Sequence, residues 1–225
     1  MAKARCEQDI LYWINDWCWT YDPRLVEPRK IPFILFPIQE ECLLWLQERV
    51  ANNECGIVEK SRDMGITWLT ALLLLHSWIF QPGFKGAIGS EKEVKVDRRG
   101  DMDSIFEKIR FAIKNLPTWL LPEGYNPREH DHFLRLLQPK YDGALTGEAG
   151  DNIGRGGRNS IYVLDEFAFI EHQQSVEAAV SENANVRLYI STAHGISNMF
   201  NQKILAGTTP VFRMHWMKDL RKNYW

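Results

Sequence analysis

Long apolar runs are missing from this 225-residue chain. The longest, Leu69 to Phe80, is interrupted by Thr70, His76 and Ser77, and falls short of the roughly 20 apolar residues that cross a bilayer. The start, MAKARCEQDILYW, has no uninterrupted apolar stretch of the signal-peptide kind. Cysteine is scarce. Cys6, Cys18, Cys42 and Cys55 stand 12, 24 and 13 residues apart, which makes neither a zinc pair nor a CxxC motif. These absences describe a soluble intracellular protein with reduced, mostly buried thiols. An excess of charge is lacking too. A net charge of −2 and a pI near 6.3 give no global attraction to nucleic acid, so any DNA contact must come from local basic clusters or from a further part of the polypeptide. There is no internal repeat and no low-complexity tract.

What is present suits one domain with a small appendage. The apolar fraction of 45% is ample for one buried core. Five of the nine tryptophans fall in the first 70 residues, so residues 1–35 are expected to form a helical, aromatic segment packed on a core domain at 36–225. Residues 5–20 carry apolar positions at helical spacing, followed by a turn at Thr20 to Arg24 and a Pro-containing stretch from Pro28 to Pro37. Periodicity then predicts helices over 38–50, 65–80, 102–115, 173–183 and 198–205. Strands are predicted at 56–60, 85–90, near 132–138 and 143–147, at 161–166, 186–192 and near 210–216. Strands alternating with helices, several apolar on both faces, predict an α/β fold with a mostly parallel sheet flanked by helices on both faces.

The segment KSRDMGIT at 60–67 joins a strand to a helix. The ordinary phosphate-binding loop reads GxxxxGK[ST], with backbone N–H groups around the phosphates, a lysine on the β/γ-phosphates and a hydroxyl on Mg²⁺. Aligned on Gly65, this loop keeps the glycine and Thr67, but Ile66 occupies the lysine position and Lys60 the first glycine position. Lys60 at the opposite end of a tight turn can still reach the phosphates. The competing reading makes Lys60 and Arg62 exposed loop charges. The apolar strand at 161–166 ends in Asp165-Glu166, a pair suited to steadying Mg²⁺ and polarising the attacking water. It stands 98 residues after Thr67. Ser191 and Thr192, at the tip of another strand, can sense a γ-phosphate or simply form a turn. Gln39 can pair with an adenine edge or be a solvated surface residue.

The ordered segments FPIQ (36–39), KSRDMGITW (60–68), VDRRGDMDSIFEKIRFAIKNLP (96–117), GEAGDNIGRGGRNSIYVLDEFAF (147–169) and STAHGISNMF (191–200) resemble the large subunit of tailed-phage terminases. Some terminases place the loop lysine at the first position, as Lys60 stands here. The resemblance implies a P-loop NTPase of the additional-strand, catalytic-glutamate type that hydrolyses ATP to drive viral double-stranded DNA into a procapsid. It implies ATP and Mg²⁺ as cofactors. The loop Lys60, Ser61, Arg62, Asp63, Met64, Gly65, Ile66 and Thr67 would cradle the phosphates, with Thr67 and Asp165 at the metal and Glu166 activating water. Gln39 would read adenine, Ser191 and Thr192 would couple hydrolysis to movement, and Arg62 would touch the γ-phosphate. Arg155 or Arg158 would act as an arginine finger in a neighbouring subunit, or else form salt bridges. The implied partners are the viral DNA, the portal protein, the terminase small subunit and further copies in a ring on the portal, with no membrane. The implied place is the host cytoplasm during assembly, outside the mature virion. The nuclease domain that such subunits carry is not expected here, because Asp219 is the only acidic residue after Thr192. Two alternatives remain: a different RecA-like nucleic-acid ATPase or helicase, and a non-hydrolysing nucleotide- or DNA-binding scaffold, suggested by Ile66.

Overall fold

The computed structural model describes residues 1–219 and residue 221, so most of the basic, aromatic end at 218–225 lies outside the described residues. The N-terminal helical pattern folds as two helices, α1 (Ala2–Gln8) and α2 (Ile10–Trp17), where the spacing predicts one. The break is Asp9. It takes extended geometry, and its carboxylate accepts the N–H of Tyr12 at 2.9 Å. An aspartate that finds a backbone donor caps the next helix instead of continuing the last. The stretch read as a turn and connection holds a small antiparallel hairpin, β1 (Trp19–Tyr21) with β2 (Lys30–Pro32). Strands of three residues are too short to show a period.

The next elements follow their patterns: α3 (Pro37–Ala51), β3 (Gly56–Lys60), α4 (Ile66–Phe80) and β4 (Lys85–Ser90). A one-turn helix, α5 (Glu93–Val96), was not legible. α6 (Ile105–Asn115) starts three residues later than its periodicity predicts. Ser104 is extended there and turns its hydroxyl onto the carbonyls of Arg98 and Asp101. After α7 (Pro127–His130), the predicted strand near 132–138 is instead a hairpin, β5 (Asp131–His132) with β6 (Arg135–Leu137). Then come β7 (Ala144–Ala149), β8 (Asn159–Asp165), α8 (Gln173–Asn183), β9 (Ala184–Ser191), α9 (Met199–Ala206) and β10 (Val211–Met214).

The main sheet has the order β10-β3-β9-β8-β4-β7-β6-β5. From β10 to β7 every pairing is parallel, and the β5–β6 hairpin adds an antiparallel edge. Alternate residues of the central strands feed two cores. Val58, Ile88, Val163, Leu188 and Ile190 join α2, α3, α4 and α6 on one face, while Ile57, Ala87, Tyr162, Leu164 and Tyr189 meet α8 and α9 on the other. That two-sided burial is why these strands read as continuous apolar runs. Cys6, Trp13, Ile14, Cys18 and Phe33 belong to the first core, and His76 of α4 bonds the Cys6 carbonyl at 2.8 Å. β9 lies between β3 and β8, so the loop strand and the Asp-Glu strand are separated by an inserted strand. This is the additional-strand arrangement. Because the strands run parallel, the ends of β3, β8 and β9 reach the same edge, where α/β sheets place their ligand crevices.

Candidate functional site

That edge holds a cleft of about 750 Å³, walled by the loop 60–67, by Asp165 and Glu166, by α6 and by the β1–β2 hairpin. Its floor is the N-terminus of α4. Gly65 precedes the helix with φ 75°, and no side chain caps it. The first N–H groups of a 15-residue helix therefore open onto the cleft, as anion sites require. A Cβ on Gly65 would sit 2.6 Å from Gln39 Nε2, so both backbone conformation and contact demand glycine here. Ile66 is buried among apolar neighbours, an environment that favours an apolar side chain over a charged one.

Lys60 ends β3, and its side chain is mostly buried, unlike an exposed loop charge. Its ammonium donates to Glu166 Oε1 at 2.6 Å. Glu166 also accepts from Ser191 Oγ at 3.4 Å, and Ser191 Oγ itself accepts the N–H of Ala168. Glu166 lies just past the end of β8 in left-handed geometry, φ 52°, a conformation that costs a non-glycine residue energy and that concentrates at functional sites. Thr67 Oγ1 lies 3.4 Å from both carboxylate oxygens of Asp165. Burial pushes the Asp165 carboxyl up to about 6. The neighbouring Glu166 charge adds to this, and Lys60, Lys108 and the Thr67 hydroxyl oppose it. Thr192 lines the cleft beside Glu166.

Gln39 is buried at the cleft wall, and both ends of its carboxamide are engaged. Its Oε1 accepts the N–H of Phe36 at 3.1 Å and its Nε2 donates to the Met64 carbonyl at 3.0 Å. In this state it braces the loop against α3, and reading an adenine requires sharing or exchanging one of those bonds. Asp63 holds the loop from outside, with left-handed φ 59° and its carbonyl accepting from Arg221. Ser61 Oγ accepts the N–H of Trp216. Arg62 is exposed on the cleft rim. Arg155 and Arg158 are exposed and are not part of the cleft wall. Arg158 immediately precedes β8, a strand length of roughly 23 Å from Asp165, so it cannot serve the site of its own chain.

Sequence reading missed parts of the wall. Tyr21 and Arg24 arrive on the hairpin, whose short strands left no pattern. Lys108 arrives on α6, and there a signal existed: it lies on the helix stripe of Ile105, Ile109 and Ala112, where only apolar residues are expected.

A hydroxyl and a buried carboxylate, side by side at the start of an anion-binding helix, are a hard-oxygen donor set fit for Mg²⁺. Among the described residues no cluster of three or more His, Cys, Asp or Glu could hold a metal unaided.

No family model and no curated protein matches the sequence. Solved structures do match the fold. The chain is similar to the Thermus phage P74-26 large terminase ATPase domain, at 18% identity over 76% of this chain and 79% of that one, with a TM-score of 0.54. The chain has the fold of phage large-terminase ATPase domains. A large terminase from a thermophilic bacteriophage, in complex with ADP, matches at 14% identity with a TM-score of 0.57, over 82% of this chain and 46% of that one. The UvsW helicase of bacteriophage T4 matches at 11% identity and TM-score 0.54, over 92% of this chain and 67% of that one. The fold is thus shared by terminases and a helicase, and function has to be argued from the site. Among the described residues no helix is long and apolar enough to cross a membrane.

Proposed function

We propose that this chain is the ATP-hydrolysing motor part of a phage large terminase, driving double-stranded DNA into a procapsid. The observation that carries the reading is the convergence of Lys60, Thr67, Asp165 and Glu166, drawn from β3, α4 and β8, on one cleft at the open N-terminus of α4. The terminase-like sequence segments, and the ADP-bound terminase of similar fold, support it. The helicase match supports a second reading, a RecA-like ATPase that separates strands.

In the proposed site the α4 N-terminus and Lys60 bind the phosphates, and Thr67 and Asp165 hold Mg²⁺. The metal supplies charge neutralisation at the β/γ-phosphates. Lys60 and Glu166 are paired, so phosphate binding has a second effect. The phosphates compete for the Lys60 ammonium, and Glu166 is released to accept a proton from water. Ser191 stays within reach of the freed carboxylate and ties its position to β9. An arginine from another subunit, Arg155 or Arg158, would complete the site in a ring on the portal, in company with the small subunit.

The test is ATP turnover of the wild type and of Glu166→Gln, each alone and in a packaging reaction with procapsids and linear DNA. The amide keeps the shape but cannot take a proton, so nucleotide binding is retained and turnover falls about 10²–10⁴-fold. Nuclease-protected DNA formed by the wild type and lost in the variant is the terminase outcome. ATP-dependent strand separation without protection favours the helicase reading. A variant turning over above half the wild-type rate removes Glu166 as the base.

A further inference from the structure

α6 carries a lysine where its pattern requires an apolar residue. Ile105, Ile109 and Ala112 are buried along its inner stripe, and Lys108 lies among them at 8% exposure. Burying an ammonium costs its hydration, and such groups are retained where they are paired or bind a ligand. Among the described residues the hydrogen-bond partners of Lys108 are neutral. Its Nζ donates to the carbonyls of Met102 at 2.6 Å and Ser104 at 3.5 Å, with the Trp68 ring 6.0 Å away. Asp101, Asp103 and Asp165 are near enough for their charge to be felt, yet among the described residues no carboxylate oxygen comes within salt-bridge distance of it. Burial accordingly pushes the ammonium down from its ordinary range. The side chain stands in the wall of the cleft that also contains Thr67 and Asp165. An under-compensated cation in the wall of a cleft large enough for a nucleotide calls for an anion. The loop at the same cleft lacks its usual lysine, because position 66 is a buried isoleucine.

We propose that Lys108 is a second phosphate-binding ammonium of this site, supplying from α6 the charge that Ile66 leaves out of the loop. It faces the metal side of the cleft, so it acts on the β/γ-phosphates, while Lys60 approaches from the β3 side. The inference rests on the nucleotide-site reading, and the experiment separates the two. Mg·ATP and AMP affinities are measured for the wild type, Lys60→Ala, Lys108→Met and Lys108→Arg. Methionine preserves the packing of the stem without the charge. The expected result is Mg·ATP binding at least tenfold weaker in Lys108→Met, AMP binding changed less than threefold, and partial recovery in Lys108→Arg. Binding of Mg·ATP by Lys108→Met within twofold of wild type, with Lys60→Ala impaired, overturns the role of Lys108 and leaves the site standing. Equal losses for ATP and AMP mean a structural role and overturn it as well. No binding by the wild type overturns both. If Lys108→Met does not fold, the wild type still answers: the Lys108 Nζ resonance, assigned by its loss in Lys108→Arg, should move on saturation with Mg·ADP, and an unmoved resonance refutes the contact.

Discussion

Asp165 is the place where function and stability pull in opposite directions, and Asp165→Asn measures by how much. The carboxylate is buried next to Glu166, and its pKa rises from 3.8 to about 6. The folded state therefore prefers the protonated form. That preference contributes stability fully at pH below about 4, loses it as pH rises through 6, and leaves the ionised form a net burden at pH 8. At roughly 1.4 kcal/mol for each tenfold change in proton affinity, the burden reaches about 3 kcal/mol. Asparagine keeps the size and can still accept from Thr67, but it is neutral at every pH. Asp165→Asn should then be about 1–3 kcal/mol more stable than wild type at pH 8 in EDTA. For a chain of this length that is roughly 2–4 °C in Tm per kcal/mol. The advantage should shrink between pH 6 and 4 and vanish below. Adding Mg·ADP should reverse the order, since only the wild type is stabilised by the ligand. Calorimetry or thermal unfolding by circular dichroism across pH 4–8 reads all of this. A variant less stable than wild type at pH 8 in EDTA would refute the reasoning, because it would mean that ion pairing outweighs desolvation at this carboxylate.

Lys60→Ala should weaken Mg·ATP binding and abolish hydrolysis while preserving the sheet, because β3 keeps its backbone pairing with β9 and β10. Measured beside Arg62→Ala, normal turnover in Lys60→Ala with loss in Arg62→Ala would transfer the role to Arg62, and normal turnover in both would end the nucleotide-site reading of the loop. Gly65→Ala forces a Cβ into left-handed backbone 2.6 Å from Gln39 Nε2 and should cost about 1–2 kcal/mol in chemical denaturation, with a loss of nucleotide affinity. Unchanged stability and affinity would mean that the loop relaxes freely.

How much of this molecule is legible in its sequence depends on how local the determinants are. The long helices α3 and α4, the strands β3, β8 and β9, and the residues at their ends could be read, because hydrophobic period and motif order lie within each segment. Asp9 interrupts a good helical pattern because one carboxylate found one N–H, a choice that spacing does not record. The hairpin β1–β2 has three-residue strands, and its aromatic and arginine side chains reach the cleft only through tertiary packing. Arg155 and Arg158 could be singled out by type, yet the distance of Arg158 from the cleft is set by where β8 begins.

By itself the sequence determined the layered α/β architecture, the strand–loop–helix at 56–80 and the Asp-Glu pair at a strand end, since each follows from periodicity and from residue chemistry within a short window. Only the tertiary structure decided that β9 enters between β3 and β8, that Lys60 meets Glu166 across 106 positions of chain, that Gln39 braces the loop, and that Lys108 shares the cleft wall with Asp165. The physical reason is that periodicity specifies which face of an element is buried but not which element covers it. Strand order, and the side chains that meet at the sheet edge, are settled by packing among segments far apart in the chain.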